Sequence, residues 1–186
     1  MALDHALLVS LLEKPSSGYD LARRFDRSIG FFWHATHQQI YRVLARMEQA
    51  GWTRVRLRPG DSAPDRREFS VTAAGRAELE RWLAEPSRPE TPRDSLLVKV
   101  RGAAFTGTDA LLPELERHRT VHAEQLARYR EIEARDFAEN PTPRQKLHYQ
   151  VLKAGIGFEA AWIAWCDDAI AMLHDMTPTE SPGELR

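Results

Sequence analysis

The period of the apolar residues changes abruptly at Gly51, and this junction constrains the fold more than any other feature of the chain. Ahead of it, Ile40, Val43, Leu44 and Met47 recur at i, i+3, i+4 and i+7, the spacing of one buried helix face. Beyond it, Thr53, Val55 and Leu57 alternate with Arg54, Arg56 and Arg58, the two-residue period of a strand with one face turned inward. Thr36 with Gln39 three residues on fits the S/T-x-x-E/Q capping box, so the helix starts there. Gly51 supplies its stop. A capped amphipathic helix therefore runs almost directly into a strand.

The outer face of that helix carries Gln38, Gln39, Arg42, Ala45, Arg46 and Gln49, amides and guanidiniums with no acid among them. Such side chains read base-pair edges: Gln pairs bidentately with adenine and Arg with guanine. The strand arginines suit a second task, since each phosphate they neutralise releases condensed counterions. Net charge over the whole chain is −1, yet between Asp20 and Arg67 ten arginines face five acids. From Pro86 onward thirteen basic residues face sixteen acidic ones, so the basic excess sits in one region.

Before the opening helix, the apolar cluster Leu3 to Leu12 predicts a short helix ended by Lys14-Pro15. Ser17 is placed to cap a second helix with Tyr19, Leu21, Phe25 and Ile29 inward, Arg23, Arg24 and Arg27 outward, and Gly30 at its close. Phe31, Phe32 and Trp33 read as a bulky apolar connector. After the first strand comes a turn-rich loop over 59–65, then a second strand from Arg66 to Val71 with Phe69 and Val71 inward. Thr72 caps a fourth helix through Glu85, with Leu79, Trp82 and Leu83 expected inside. Helix, helix, helix, hairpin, helix is the order of a winged helix-turn-helix domain, here spanning 1–85. A proline-rich linker follows over 86–93.

The second half predicts a mainly helical region over 94–176, then a flexible tail, 177–186. One helix is expected from Asp94 to Phe105. Another from Leu111 to Phe137 carries Leu112, Leu115, His122, Leu126, Tyr129 and Ile132 along one side. After Pro143 a long pattern through Tyr149, Leu152, Ile156, Ile163, Ile170 and Leu173 continues to about Met176, a helix of roughly 50 Å. Charges are sparse from Ala154 to Leu173, so more than one face needs cover, and a two-fold homodimer built on these helices is inferred. The expected fold class is mainly α with a small β-hairpin wing: a winged helix-turn-helix domain plus a helical dimerisation domain.

Several classes are excluded. The single cysteine, Cys166, forms no internal disulfide and points to a reducing, cytoplasmic compartment. No stretch reads as a signal peptide or membrane span. Nucleophile elbow, phosphate loop and dinucleotide fingerprint are missing, so the chain does not read as an enzyme and no cofactor is expected. His118 and His122 stand at i, i+4, but no cysteine supports them and no metal site is assigned. Asp167 and Asp168 beside Cys166 disfavour a thiolate. Phe158, Trp162 and Trp165 either line a pocket for a small aromatic effector or pack the dimer seam.

Ser17-Gly18-Tyr19-Asp20-Leu21, the segment from Gln39-Ile40-Tyr41-Arg42-Val43-Leu44 to Gly51, and Pro64 to Gly75 through Trp82-Leu83 resemble the PadR family of bacterial transcriptional regulators. The likeness is dense over 2–85; the helical half resembles the longer members in layout alone. It implies a dimeric, ligand-responsive repressor on a palindromic operator, with Tyr41 and wing arginines on the DNA backbone. Two positions depart: Ala63 precedes Pro64 where the family often has Arg, and Phe69 stands where it often has Tyr. The first departure leaves Arg66 and Arg67 as the wing's candidates for the duplex. Combining residues and resemblance, Gln38, Gln39 and Arg42 are expected at bases, and Thr36, Tyr41, Arg46, Arg54, Arg56, Arg66 and Arg67 at phosphates of double-stranded DNA. Rival readings are a winged-helix protein-interaction module and a small-molecule sequestering protein without DNA binding.

Overall fold

The computed structural model describes residues 2–26, 35–58, 66–89, 94–137 and 141–176. The expectations at Arg27, Ile29, Gly30, the 31–33 connector, the 59–65 loop and the 177–186 tail lie outside these residues. The chain divides into two compact units, Met1–Glu90 and Thr91–Arg186.

In the first unit, α1 (Ala2–Glu13), α2 (Gly18–Asp26) and α3 (His37–Gln49) surround a core in which Leu7, Leu11, Phe25, Ile40, Leu44 and Met47 are almost wholly buried. Each such side chain contributes about 1.5–3 kcal/mol by leaving water. The α1–α2 corner is held by Arg24, whose guanidinium donates to Ser10 O (2.6 Å), Lys14 O (2.9 Å) and Ser16 Oγ (2.6 Å). The outward orientation expected for Arg24 is therefore corrected. Pro15 cannot continue α1, and Arg24 ties the turn that follows it from the next helix, adding a second donor at Ser10 O and one at Lys14 O. Burial lowers its pKa.

Ser17 caps α2 as expected: its Oγ accepts from Asp20 N (3.1 Å) and donates to Asp20 Oδ2 (2.8 Å). Ser16–Ser17 is also a short strand, β1, and Tyr19 just beyond it, expected inward, is 57% exposed. With β2 (Thr53–Arg58) and β3 (Arg66–Val71) it forms an antiparallel sheet in the order β1-β3-β2, so the expected hairpin has a third strand. The register pairs Val55 with Phe69 and Thr53 with Val71 on the inner face, and Arg58 with Arg66, Arg56 with Glu68 and Arg54 with Ser70 on the outer. Leu57, expected inside, is 67% exposed because the strand pair outruns the helices beneath it.

Thr72 caps α4 (Ala73–Leu83) through its hydroxyl, which accepts from Gly75 N at 3.1 Å. Gly75 is dictated by packing: a Cβ there would lie 2.2 Å from Trp52 O. Leu79 is buried and Trp82 half-buried, whereas Leu83 is 67% exposed at the helix end, correcting the third buried residue expected on α4. Asp4 and His5 of α1 are buried polar side chains that no local pattern announces. His5 meets Glu78 at 3.0 Å and stacks on Trp82 at 4.4 Å, and Asp4 meets Arg46.

In the second unit, Asp94 caps α5 (Ser95–Thr106), its Oδ1 accepting from Leu96 N at 2.7 Å, and Gly107 leaves the helix at φ 99°. α6 (Leu111–Asp136) and α7 (Pro143–Met176) pack as an antiparallel pair, because His122 meets Glu159 and Glu133 meets Tyr149. α7 has 34 residues, so at about 1.5 Å each it runs to roughly 50 Å. Leu96, Leu111, Leu115, Cys166 and Leu173 form the core beside α5. Farther along, a Cβ on Gly155 would lie 2.9 Å from the Tyr129 ring, so the two helices approach closely there. No described helix is long and apolar enough to cross a membrane.

Candidate nucleic-acid interface

Thr36 sits outside α3 with extended backbone (φ −72°, ψ 152°), and both halves of the capping box are formed. Its Oγ1 accepts from Gln39 N (3.2 Å), while Gln39 Oε1 accepts from Thr36 N (2.8 Å). Gln39 is thus tied back at its amide oxygen and keeps only its amide nitrogen for a ligand. At the other end Gly51 adopts φ 72°, the left-handed stop expected of it.

Between these ends Ile40, Val43, Leu44 and Met47 are buried, which turns Gln38, Arg42, Ala45 and Gln49 directly outward. All four are exposed. Arg42 bonds to no side chain among the described residues and is free to meet a base edge. Arg46 differs. It lies on the flank toward α1, where its Nε (3.1 Å) and Nη2 (2.5 Å) both donate to Asp4 Oδ1. On the opposite flank Tyr41 leans over the start of α2, where a Cβ on Gly18 would fall 2.5 Å from its ring. A side chain at that position would displace the ring.

The wing arginines separate by face. Arg54, Arg56, Arg58 and Arg66 share the outer face of the sheet, where Arg54 donates to Ser70 Oγ (3.1 Å) and Arg58 pairs with Glu68 (3.0 Å). Arg56 and Arg66 are exposed without such a partner among the described residues. Arg67 lies on the inner face with Leu57 and pairs with Glu48 of α3 at 2.9 Å. A cleft of about 550 Å³ opens between the start of α2, Tyr41 and β3, lined by Tyr19, Arg23, Tyr41, Arg66 and Arg67 with one acid, Asp20, among them. Its cationic wall and phenol hydroxyls suit a phosphate.

The aromatic residues of the second unit are close together. The Trp162 ring stacks on His122 (5.3 Å, 9°) and meets Trp165 edge-on (5.2 Å, 81°), with Phe158 6.3 Å away. Trp162 and Trp165 pack against the Leu96–Leu115 core, while Phe158 is 55% exposed. His122 Nδ1 lies 2.5 Å from Glu159 Oε2 and His118 Nε2 3.8 Å from Glu114 Oε1, so each histidine faces a carboxylate. Among the described residues no group of three side chains could hold a metal ion. Burial, with Asp167 adding, pushes the Cys166 thiol up.

A helical core with an antiparallel wing, its third helix turning amides and arginine outward, defines a winged helix-turn-helix DNA-binding protein. Residues 7–81 match the Transcriptional regulator PadR-like family and residues 92–174 the Virulence activator alpha C-term family. A probable transcriptional regulator of Mycobacterium tuberculosis, Rv1176c, is 45% identical over 94% of this chain and 99% of its own length. The chain belongs to the PadR-like family of transcriptional regulators, which are DNA-binding proteins and not enzymes. The Vibrio cholerae virulence activator AphA is 30% identical and superposes with a TM-score of 0.79 over 94% of this chain and 99% of that one. Bacillus subtilis PadR in complex with operator DNA shares the fold at 24% identity, with a TM-score of 0.81 over 92% of this chain and 99% of that one.

Proposed function

We propose that this chain is a ligand-responsive repressor that binds a palindromic operator as a homodimer. The observation that carries the reading is the exposed row Gln38, Arg42, Ala45 and Gln49 on α3, free of acid and flanked by Tyr41 and the wing arginines. Gln38 and Arg42 meet base edges, with Gln39 reaching the duplex by its amide nitrogen. Thr36, Tyr41, Arg46, Arg54, Arg56, Arg66 and Arg67 meet phosphates.

A homodimer is supported by an exposed apolar seam on α7, beside the face that packs on α6 and touching it at Phe158, whose ring lies 6.3 Å from that of His122. Leu147, Val151, Phe158, Met172 and Met176 are exposed there, with Ala154 and Ala161 completing steps of three and four. A twin subunit covering this seam sets the two α3 helices about 34 Å apart, in successive major grooves. For the effector, Phe158, Trp162 and Trp165 offer stacking faces to a small planar aromatic compound. Bacillus subtilis PadR has been solved with p-coumaric acid, which supports that class of ligand. Such a compound acts by preferring one spacing of the two α3 helices over another.

The test is a gel shift on the DNA upstream of the chain's own coding sequence, with and without a panel of aromatic carboxylic acids. Nanomolar, salt-sensitive binding that exceeds binding to random DNA and is released by a panel member is the expected outcome. Equal affinity for random DNA would refute the repressor.

A further inference from the structure

Asp4 is an acid in the interior of the winged-helix unit, 2% exposed on α1. A carboxylate survives in such surroundings only when paired, and its Oδ1 accepts from Arg46 Nε at 3.1 Å and Nη2 at 2.5 Å. The two donors form one edge of the guanidinium. The other side, at Nη1, is bonded to nothing among the described residues, and the Arg46 side chain is 45% exposed. Arg46 projects from the flank of α3 next to the row of Gln38, Arg42 and Ala45. An arginine with one edge fixed has fewer rotamers to lose when its other edge meets a phosphate, and its planar fork serves both partners at once.

We infer that Asp4 is a positioning residue for DNA binding: from inside α1 it holds Arg46 so that the open edge of the guanidinium faces a backbone phosphate. This rests on the reading of Arg46 as a phosphate contact. The opposite arrangement, a carboxylate drawing the arginine away from the duplex, would bury the guanidinium, and the Arg46 side chain is open to solvent.

The test is the salt dependence of binding to a labelled random-sequence duplex, followed by anisotropy, because a phosphate contact is blind to sequence. Arg46→Ala should flatten the plot of log K against log salt by about 0.9, the share of one phosphate. Asp4→Ala should flatten it equally, and the double variant no further. Asp4→Asn, whose amide oxygen accepts the same two bonds, should restore the wild-type slope. Asp4→Leu fills the space without an acceptor and should behave as the alanine variant does, should the alanine cavity unfold the chain. An unchanged or steeper slope in folded Asp4→Ala or Asp4→Leu, with Arg46→Ala flattened, overturns the positioning role, since a purely structural pair would lower only the melting midpoint. An unchanged slope in Arg46→Ala overturns the phosphate contact itself and the inference with it.

Discussion

Glu48 on α3 and Arg67 on β3 are joined at their exposed rims, Arg67 Nη2 donating to both carboxylate oxygens at 2.9 and 3.2 Å, so the third helix and the wing are fastened to each other. The same guanidinium lies 5.6 Å from the centre of the Phe69 ring. Arg67 therefore stands between a stacking surface, an acid and the cleft beside Tyr41.

Because this pair is largely exposed, Glu48→Gln should change stability by less than about 1 kcal/mol, read by urea unfolding. It also removes a negative charge from α3 and releases Arg67, so affinity for DNA of any sequence should rise. A fall in affinity would mean that the pair holds the wing in its binding position.

Two glycines should respond in opposite directions. Gly75→Ala sets a methyl against Trp52 O, a contact that a rigid main chain cannot relieve, and should destabilise the first unit by about 1–3 kcal/mol or more. Gly102→Ala, on an exposed face of α5 with nothing within 4 Å, should stabilise the second unit by about 0.5–1 kcal/mol. Thermal unfolding of the two variants checks both signs.

Acid should weaken both units. Hydrogen bonds from Arg81 and then His5 hold Glu78 near 2, below its ordinary 4.5. Arg117 and then Lys99 do the same for Glu114. A carboxyl with a depressed folded pKa contributes stability above its unfolded value and loses it as pH falls toward the folded one. Unfolding titrations should therefore show stability declining between about pH 4.5 and 2, and Glu78→Gln or Glu114→Gln should shallow that decline. An acid limb identical in all three proteins would contradict the assignment.

If the proposed homodimer is built on the exposed seam of α7, Val151→Asp should leave the helical content intact and give a monomer in sedimentation where the wild type gives a dimer. Sequence-dependent DNA binding should be lost with it, because one α3 helix reads only half a site. A monomeric wild-type protein at micromolar concentration would remove the basis for this paired reading.

Local chemistry made much of this architecture legible. The change of period at Gly51, the Thr36–Gln39 box and the arginine alternation after Thr53 each depend on neighbours within a turn or a strand. What escaped depended on partners distant in sequence. Ser16–Ser17 is too short to show alternation and becomes a strand only because β3 lies beside it. Arg24 looks like Arg23 until the carbonyls ending α1 claim it. Asp4 and Arg46 are 42 residues apart, and no spacing announces their pairing. Leu57 and Leu83 fit the apolar pattern yet lie where the core has already ended. At the interface, Arg54, Arg56 and Arg58 share one face as their alternation predicts, whereas the pairing of Arg67 with Glu48, 19 residues away, has no local signal.

The most direct measurement compares Arg42→Ala and Arg56→Ala on the chain's operator and on random DNA across a range of salt. Arg42→Ala should lose about 1–3 kcal/mol on the operator alone and relax preference at one base pair. Arg56→Ala should weaken both duplexes alike and flatten the salt dependence by about one phosphate. If Arg42→Ala weakens operator and random DNA equally, α3 does not read the sequence and the account is wrong.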